Sequence, residues 1–210
     1  MHPIDHIKKF ANLTPELEYA ILGLMREYKF KKGDTIRGAV NLTSYAYFIS
    51  QGAARLFYSQ KGKEQTVSFS FDDEFVVISR HVVKKNADTV AIQFLEPTTV
   101  IFIPQLRLRD FLVKTSSIND RAGLLFLNTA LIHYSSFLEE INDVMQSMSA
   151  EERYKWAIER YPRLTQCATT TQIASFLALT KETLYRIKGG KYPSVKSGTA
   201  KKTAEKETTE

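Results

Sequence analysis

Thr170-Thr-Gln-Ile-Ala-Ser-Phe-Leu-Ala-Leu-Thr-Lys-Glu-Thr-Leu-Tyr-Arg-Ile-Lys188 is the stretch on which the fold turns. It reads as two short helices joined by a tight turn. Ile173, Ala174 and Leu177 share a face of the first, and Leu184 and Ile187 share a face of the second. Thr180 stands where a helix N-cap belongs. Ala174 is small where the helices cross, and Leu179 is placed to plug the corner. This is the pattern of a helix-turn-helix, whose second helix enters the DNA major groove. The outward positions of that helix are Lys181, Glu182, Tyr185 and Arg186, long side chains suited to base edges and phosphates. Lys188 follows as a phosphate contact. The alternative is a plain helical hairpin with a solvated outer face.

Charge supports the DNA reading. The 210-residue chain carries a formal +6, and from Arg153 to Lys202 there are eleven Lys and Arg against two Asp and Glu. That segment more than accounts for the excess, so nucleic acid is expected at one end only. Cys167 is the single cysteine, which excludes an internal disulfide and a four-thiolate iron–sulfur cluster. No apolar run approaches the roughly 18–20 residues that span a bilayer. Met1 to Lys9 carries no hydrophobic signal segment. The expectation is a cytoplasmic protein with no membrane contact.

Outward from the quoted stretch, the period of the pattern changes along the chain. Ile4 to Tyr28 reads as helical, with Thr14 as N-cap, Pro15 at the first helical position, and Leu17, Ile21, Leu24 and Met25 as the apolar stripe. Lys31-Lys32-Gly33-Asp34 reads as a turn. Tyr45–Ser50, Ala53–Tyr58, Thr66–Phe71, Val90–Leu95 and Thr99–Ile103 read as short strands, with Lys61-Gly62-Lys63 as a hairpin turn. Strands at this spacing suggest a small sandwich or barrel. Leu124, Leu127, Leu131, Tyr134, Leu138, Ile141, Met145 and Met148 then alternate by three and four, the seam of a dimer-forming coiled coil. Packing of that stripe within one chain is the alternative. Ser149 and Glu152 form a capping box. Tyr154, Trp156, Ala157, Ile158 and Tyr161 supply a second core, and Pro162 ends the helix. The expected division is a β-roll sensor domain over 1–115, a dimerisation helix over 116–148, a helix-turn-helix domain over 149–190 and a disordered tail over 191–210.

In this order the elements resemble the Crp/Fnr family of bacterial transcription regulators. Ile173 to Ile187 is similar to the family pattern I-A-x-x-L-G-h-(S/T)-x-E-T-L-(S/G)-R-h. The resemblance implies an α+β chain: an N-terminal β-roll like a cyclic-nucleotide-binding domain, a long dimerisation helix and a C-terminal winged-helix-type helix-turn-helix. It carries over Thr180, Lys181, Glu182 and Arg186, the last three as base readers, with Arg186 suited to guanine and Glu182 to a cytosine amino group. Two departures stand out. Ala178 replaces the turn glycine, so the corner is expected to be shifted or extended as helix. Tyr185 replaces a small residue, which alters site preference.

The first half matches the family's early strands through Lys32-Gly33-Asp34 and Tyr47 to Leu56. The phosphate-binding cassette is missing. Phe75-Val76-Val77-Ile78-Ser79-Arg80 lacks Gly-Glu, and Asp88 stands near the place of the phosphate-binding arginine, where it would repel a phosphate. Cyclic AMP is therefore not an expected ligand. Arg80, Lys84 and Lys85 are candidates for holding another effector, or else a solvated loop, and the effector is unknown. Expected partners are double-stranded DNA and a second copy of the chain, and the resemblance implies RNA polymerase.

Other chemistry finds little support. His2, His6, His81 and His133 include one pair at metal-ligand spacing, His2 and His6, at the N-terminus. A haem-sensing role for His81 is a minor alternative. No metal site, cofactor, catalytic nucleophile or paired carboxylates are expected, and no enzymatic role. The rivals to a DNA-binding regulator are a ligand-binding or protein-interaction β-roll whose helix-turn-helix no longer reads DNA, and a cupin-type enzyme.

Overall fold

A computed structural model describes residues 2–8, 13–78, 80–115 and 122–190. The elements are α1 (Pro3–Lys8), α2 (Pro15–Leu24), β1 (Arg26–Phe30), β2 (Thr35–Arg37), α3 (Ala39–Ser44), β3 (Tyr45–Gln51), β4 (Ala54–Gln60), β5 (Lys63–Ser70) and β6 (Glu74–Phe75). They continue with α4 (Arg80–Lys85), β7 (Ala91–Phe94), β8 (Thr98–Pro104), α5 (Gln105–Thr115), α6 (Ala122–Ser147), α7 (Ala150–Arg160), α8 (Leu164–Cys167), α9 (Thr170–Phe176) and α10 (Lys181–Lys188).

The strands form two four-stranded sheets, ordered β1-β8-β3-β6 and β2-β7-β4-β5, with every pairing antiparallel. Alternation makes the long strands two-faced. Tyr47 and Ile49 of β3, Leu56 of β4, Ile92 and Phe94 of β7 and Val100 of β8 turn inward and meet between the sheets. Gln60 pairs with Lys63, leaving Lys61-Gly62 as a two-residue loop. Both loop residues have positive φ, 50° and 74°, the turn geometry whose twist suits a hairpin. Gly52 before β4 is obligatory: its φ is +112°, and a Cβ there would lie 2.5 Å from Thr98 Oγ1.

The expectation of helix as far as Tyr28 is corrected. Helix α2 ends at Leu24, where Arg26 Nη1 donates to the carbonyls of Gly23 (2.9 Å) and Met25 (2.7 Å). Tyr28 lies in edge strand β1, opposite Val100. Pairing with β8 outweighs the weak helical preference of residues 26–30. The other expected strands are present within one to three residues at each end. Strands β2 and β6 and helices α3, α4, α5 and α8 have no counterpart in the sequence reading.

The C-terminal helices do not close a core of their own. Ala157, Tyr161, Leu164, Ile173, Phe176, Leu177 and Leu184 share one cluster with Ala53, Phe69, Phe71 and Leu95 of the roll. Phe69 and Phe176 meet edge-on at 5.2 Å between centroids. The expected second core, to which α7 contributes, is thus closed by Phe69 of β5 and by Ala53, Phe71 and Leu95 beside the strands. Among the described residues this C-terminal region contains helices and no strand. A wing following α10 would fall within 191–210, outside the described residues, as does the expected tail.

Candidate nucleic-acid interface

Capping side chains set the ends of each C-terminal helix. The Ser149 Oγ accepts from the Glu152 amide, and the Glu152 carboxylate accepts from the Ser149 amide at 2.8 Å. These hydrogen bonds hold the Glu152 carboxyl below its ordinary value. The same box recurs at α9 with Thr169 and Gln172. At α10 the Thr180 Oγ1 accepts from the Thr183 amide at 3.1 Å, so Thr180 is a structural cap.

The corner between α9 and α10 corrects one expectation. It is neither shifted nor drawn out as helix. Ala178 takes the left-handed conformation, φ 53°. The Leu179 amide donates to the Ala174 carbonyl (2.8 Å) and the Ala178 amide to that of Ser175 (3.4 Å), the paired bonds of a Schellman closure. Leu179 packs on the C-terminal core, plugging the corner as expected. Helix closure and that contact outweigh the roughly 1–2 kcal/mol cost of left-handed backbone at an alanine.

Leu184 is fully buried and fixes the inner face of α10. Lys181, Glu182, Tyr185, Arg186 and Lys188 are exposed together on its outer surface. The Lys181 ammonium lies 5.8 Å from the Tyr185 ring centroid. Hydrogen bonds from its own backbone amide and the Thr180 side chain hold the Glu182 carboxyl below its ordinary value, with Lys181 and Arg186 adding to the effect.

The expected seam of α6 divides. Leu131, Tyr134 and Leu138 are exposed. Ile141 and Met145 instead pack against the C-terminal core, and Met148 is half-buried. The side chains of Leu124 and Leu127 lie outside the described set. One turn further round, Val144 is buried. Among its described residues the apolar stripe therefore serves the monomer at its C-terminal end and is uncovered at Leu131, Tyr134 and Leu138.

No family model and no curated protein matches the sequence. Solved structures do resemble it. FixK2 from Bradyrhizobium japonicum superposes with a TM-score of 0.58 at 19% identity, over 79% of this chain and 83% of that one. A regulator assigned to the Crp/Fnr family from Eubacterium rectale gives 0.58 at 17% identity, over 83% and 82%. The c-di-GMP-responsive global regulator CLP from Xanthomonas campestris gives 0.58 at 10% identity, over 84% and 91%.

The fold is that of the Crp/Fnr regulators. At these identities the likeness is one of architecture. Between β6 and β7, in place of a Crp/Fnr cassette, this chain has helix α4. Val83 on its inner side is buried in the roll core with Val76 and Val90. Lys84, Lys85 and Asp88 are exposed; the Arg80 side chain is outside the described set. His81 is exposed on the same helix, and among the described residues no group of three His, Cys, Asp or Glu converges to hold a metal ion. None of their helices is long and apolar enough to cross a membrane.

The basic segment has a mixed role that its charge count does not reveal. Arg163 bridges Asp72 and Glu96 of the roll, and Arg160 pairs with Glu74 at 3.1 Å. Arg153 donates to the carbonyls of Met148 (3.0 Å) and Leu177 (3.2 Å). Arg160 and Arg163 tie this region to the roll, and Arg153 ties α7 to the end of α9, while Lys181, Arg186 and Lys188 of α10 stay exposed. Ser175 has no part in the sequence reading. Its hydroxyl donates to the Glu64 carbonyl (3.1 Å) and accepts from the Thr66 amide (2.8 Å), so α9 continues the hydrogen-bonding of β5. Nothing in the local pattern marks Ser175, because its partners lie more than a hundred residues away.

Proposed function

We propose that this chain is a dimeric, sequence-specific DNA-binding transcription regulator whose roll does not take a cyclic nucleotide. One observation carries the reading. Within a Crp/Fnr fold, α10 is seated by buried Leu184 and capped by Thr180, with Lys181, Glu182, Tyr185, Arg186 and Lys188 exposed on its outer side. A rigid helix presenting such side chains to solvent is what major-groove readout requires. Arg186 and Glu182 read bases, Lys181 and Lys188 meet phosphates or base edges, and Thr180 fixes the helix end.

The dimer reading is supported by the uncovered row of Leu131, Tyr134 and Leu138, of which Leu131 is 66% exposed. A helix-turn-helix dimer sets its recognition helices about one DNA turn apart, and α6 carries the surface that would hold the pair. The reading of the roll is supported by its valine-filled interior beside α4 and by the absence of Gly-Glu before Arg80.

Genome-wide mapping of bound DNA, with and without candidate small molecules, tests the function. Discrete reproducible sites in front of genes are expected. Uniform background with the wild-type chain and with an Arg186→Ala chain alike would remove the DNA-reading role.

A further inference from the structure

Tyr185 is the outward side chain of α10 whose chemistry the base-reading scheme does not use. It is 55% exposed, next to fully buried Leu184. The resembling family pattern has Ser or Gly at this position, which would end close to the helix. A tyrosine carries a rigid ring several ångströms farther out. One turn earlier, Lys181 places its ammonium 5.8 Å from the ring centroid, a cation–π contact that restrains the ring on one side. Glu182 and Arg186 form the neighbouring row at the same i, i+4 spacing. The ring thus stands beside Glu182 and Arg186, braced by a cation and more than half exposed.

An aromatic ring lacks the paired donors and acceptors that distinguish a guanine or an adenine edge. The apolar feature on the major-groove floor is the C5-methyl group of thymine, and apolar side chains read it by contact. We propose that Tyr185 is a specificity residue that reads a thymine methyl, one base step from the pair read by Arg186. The proposal rests on the DNA-binding reading above. The competing role for the ring is a hydroxyl contact to phosphate, which carries no sequence information.

The test uses the full-length chain and the tightest duplex it selects from a randomised pool. Each thymine of that duplex is replaced in turn by deoxyuridine, which removes the methyl and nothing else. Expected is one position per half-site where the replacement weakens wild-type binding about fourfold, the value of one buried methyl-sized group, and about fifteenfold when both half-sites are changed. Tyr185→Phe should keep this sensitivity, since the ring remains. Tyr185→Ala should bind both duplexes equally. A deoxyuridine scan that is silent for wild-type protein on its own selected site overturns the proposal while leaving the DNA-binding reading intact. So does Tyr185→Ala that retains the sensitivity, and so does a loss in Tyr185→Phe that is equal on specific and random DNA, the signature of a phosphate contact. A wild-type chain that enriches no duplex overturns both readings.

Discussion

Ala178 holds a backbone conformation that a glycine adopts freely. Its φ of 53° carries a side chain into a region that disfavours one, while the surrounding hydrogen bonds keep it there. Ala178→Gly should therefore raise stability by about 0.5–1 kcal/mol, the relieved strain less the added flexibility of the unfolded chain. Thermal denaturation should show a rise of a few degrees; a fall would mean that the turn carries no strain. At the same scale, a base contact on α10 would differ measurably from a phosphate contact. Arg186→Ala should cost about 1–3 kcal/mol on the selected site and relax one base pair. Lys188→Ala should weaken all sequences alike and lower the salt slope by about one. Competition against random DNA distinguishes them. The sequence made Thr180, Leu184 and the outer row visible because each follows from spacing along one helix. It misjudged Ala178 because a residue's propensity says nothing about the closure of hydrogen bonds around it.

Among the elements, α6 carries a row of exposed apolar side chains. Its exposed Leu131, Tyr134 and Leu138 lie above a stretch that already packs inward through Ile141 and Met145. Charged replacements at Leu131 and Leu138 should leave the monomer fold unchanged in circular dichroism and halve the mass seen by light scattering. A wild-type chain that scatters as a monomer at micromolar concentration would remove the dimer. Periodicity exposed this helix and its seam, and alternation exposed the longer strands. Strands of two or three residues, such as β6 and β2, carry too few alternations to register. Helix α4 escaped notice because its apolar Val82 and Val83 sit among charged neighbours, and its inner face is defined by the roll rather than by a repeat. The division of the α6 seam was also hidden, since a heptad does not state which neighbour fills it.

At the level of the whole molecule, roll and helix-turn-helix are joined by one core. Phe69, Phe71 and Leu95 meet Tyr161, Phe176 and Leu177 there, with Arg163 and Arg160 ion-paired across its edge. The pairs are partly exposed, and such bridges are worth about 0–1 kcal/mol each. The aromatic contact weighs more: Phe176→Ala should cost about 3–5 kcal/mol, against less than about 2 kcal/mol for Arg163→Ala. Denaturant unfolding followed by Trp156 fluorescence and by far-ultraviolet circular dichroism should give one coincident transition, because Trp156 packs on the shared core. Separate transitions would show that the two parts fold independently. The junction was illegible in the sequence: it depends on contacts such as Ser175 to Glu64, between residues far apart in the chain.

Selection of the full-length protein on a randomised duplex pool, followed by sequencing of the bound fraction, tests the central claim most directly. A dimer that presents two copies of α10 should enrich an inverted repeat whose half-sites are centred about 10–10.5 base pairs apart. Arg186→Ala should enrich the same repeat with one position per half-site relaxed. Enrichment of no sequence, or of a single half-site without a symmetric partner, would contradict a dimeric DNA reader.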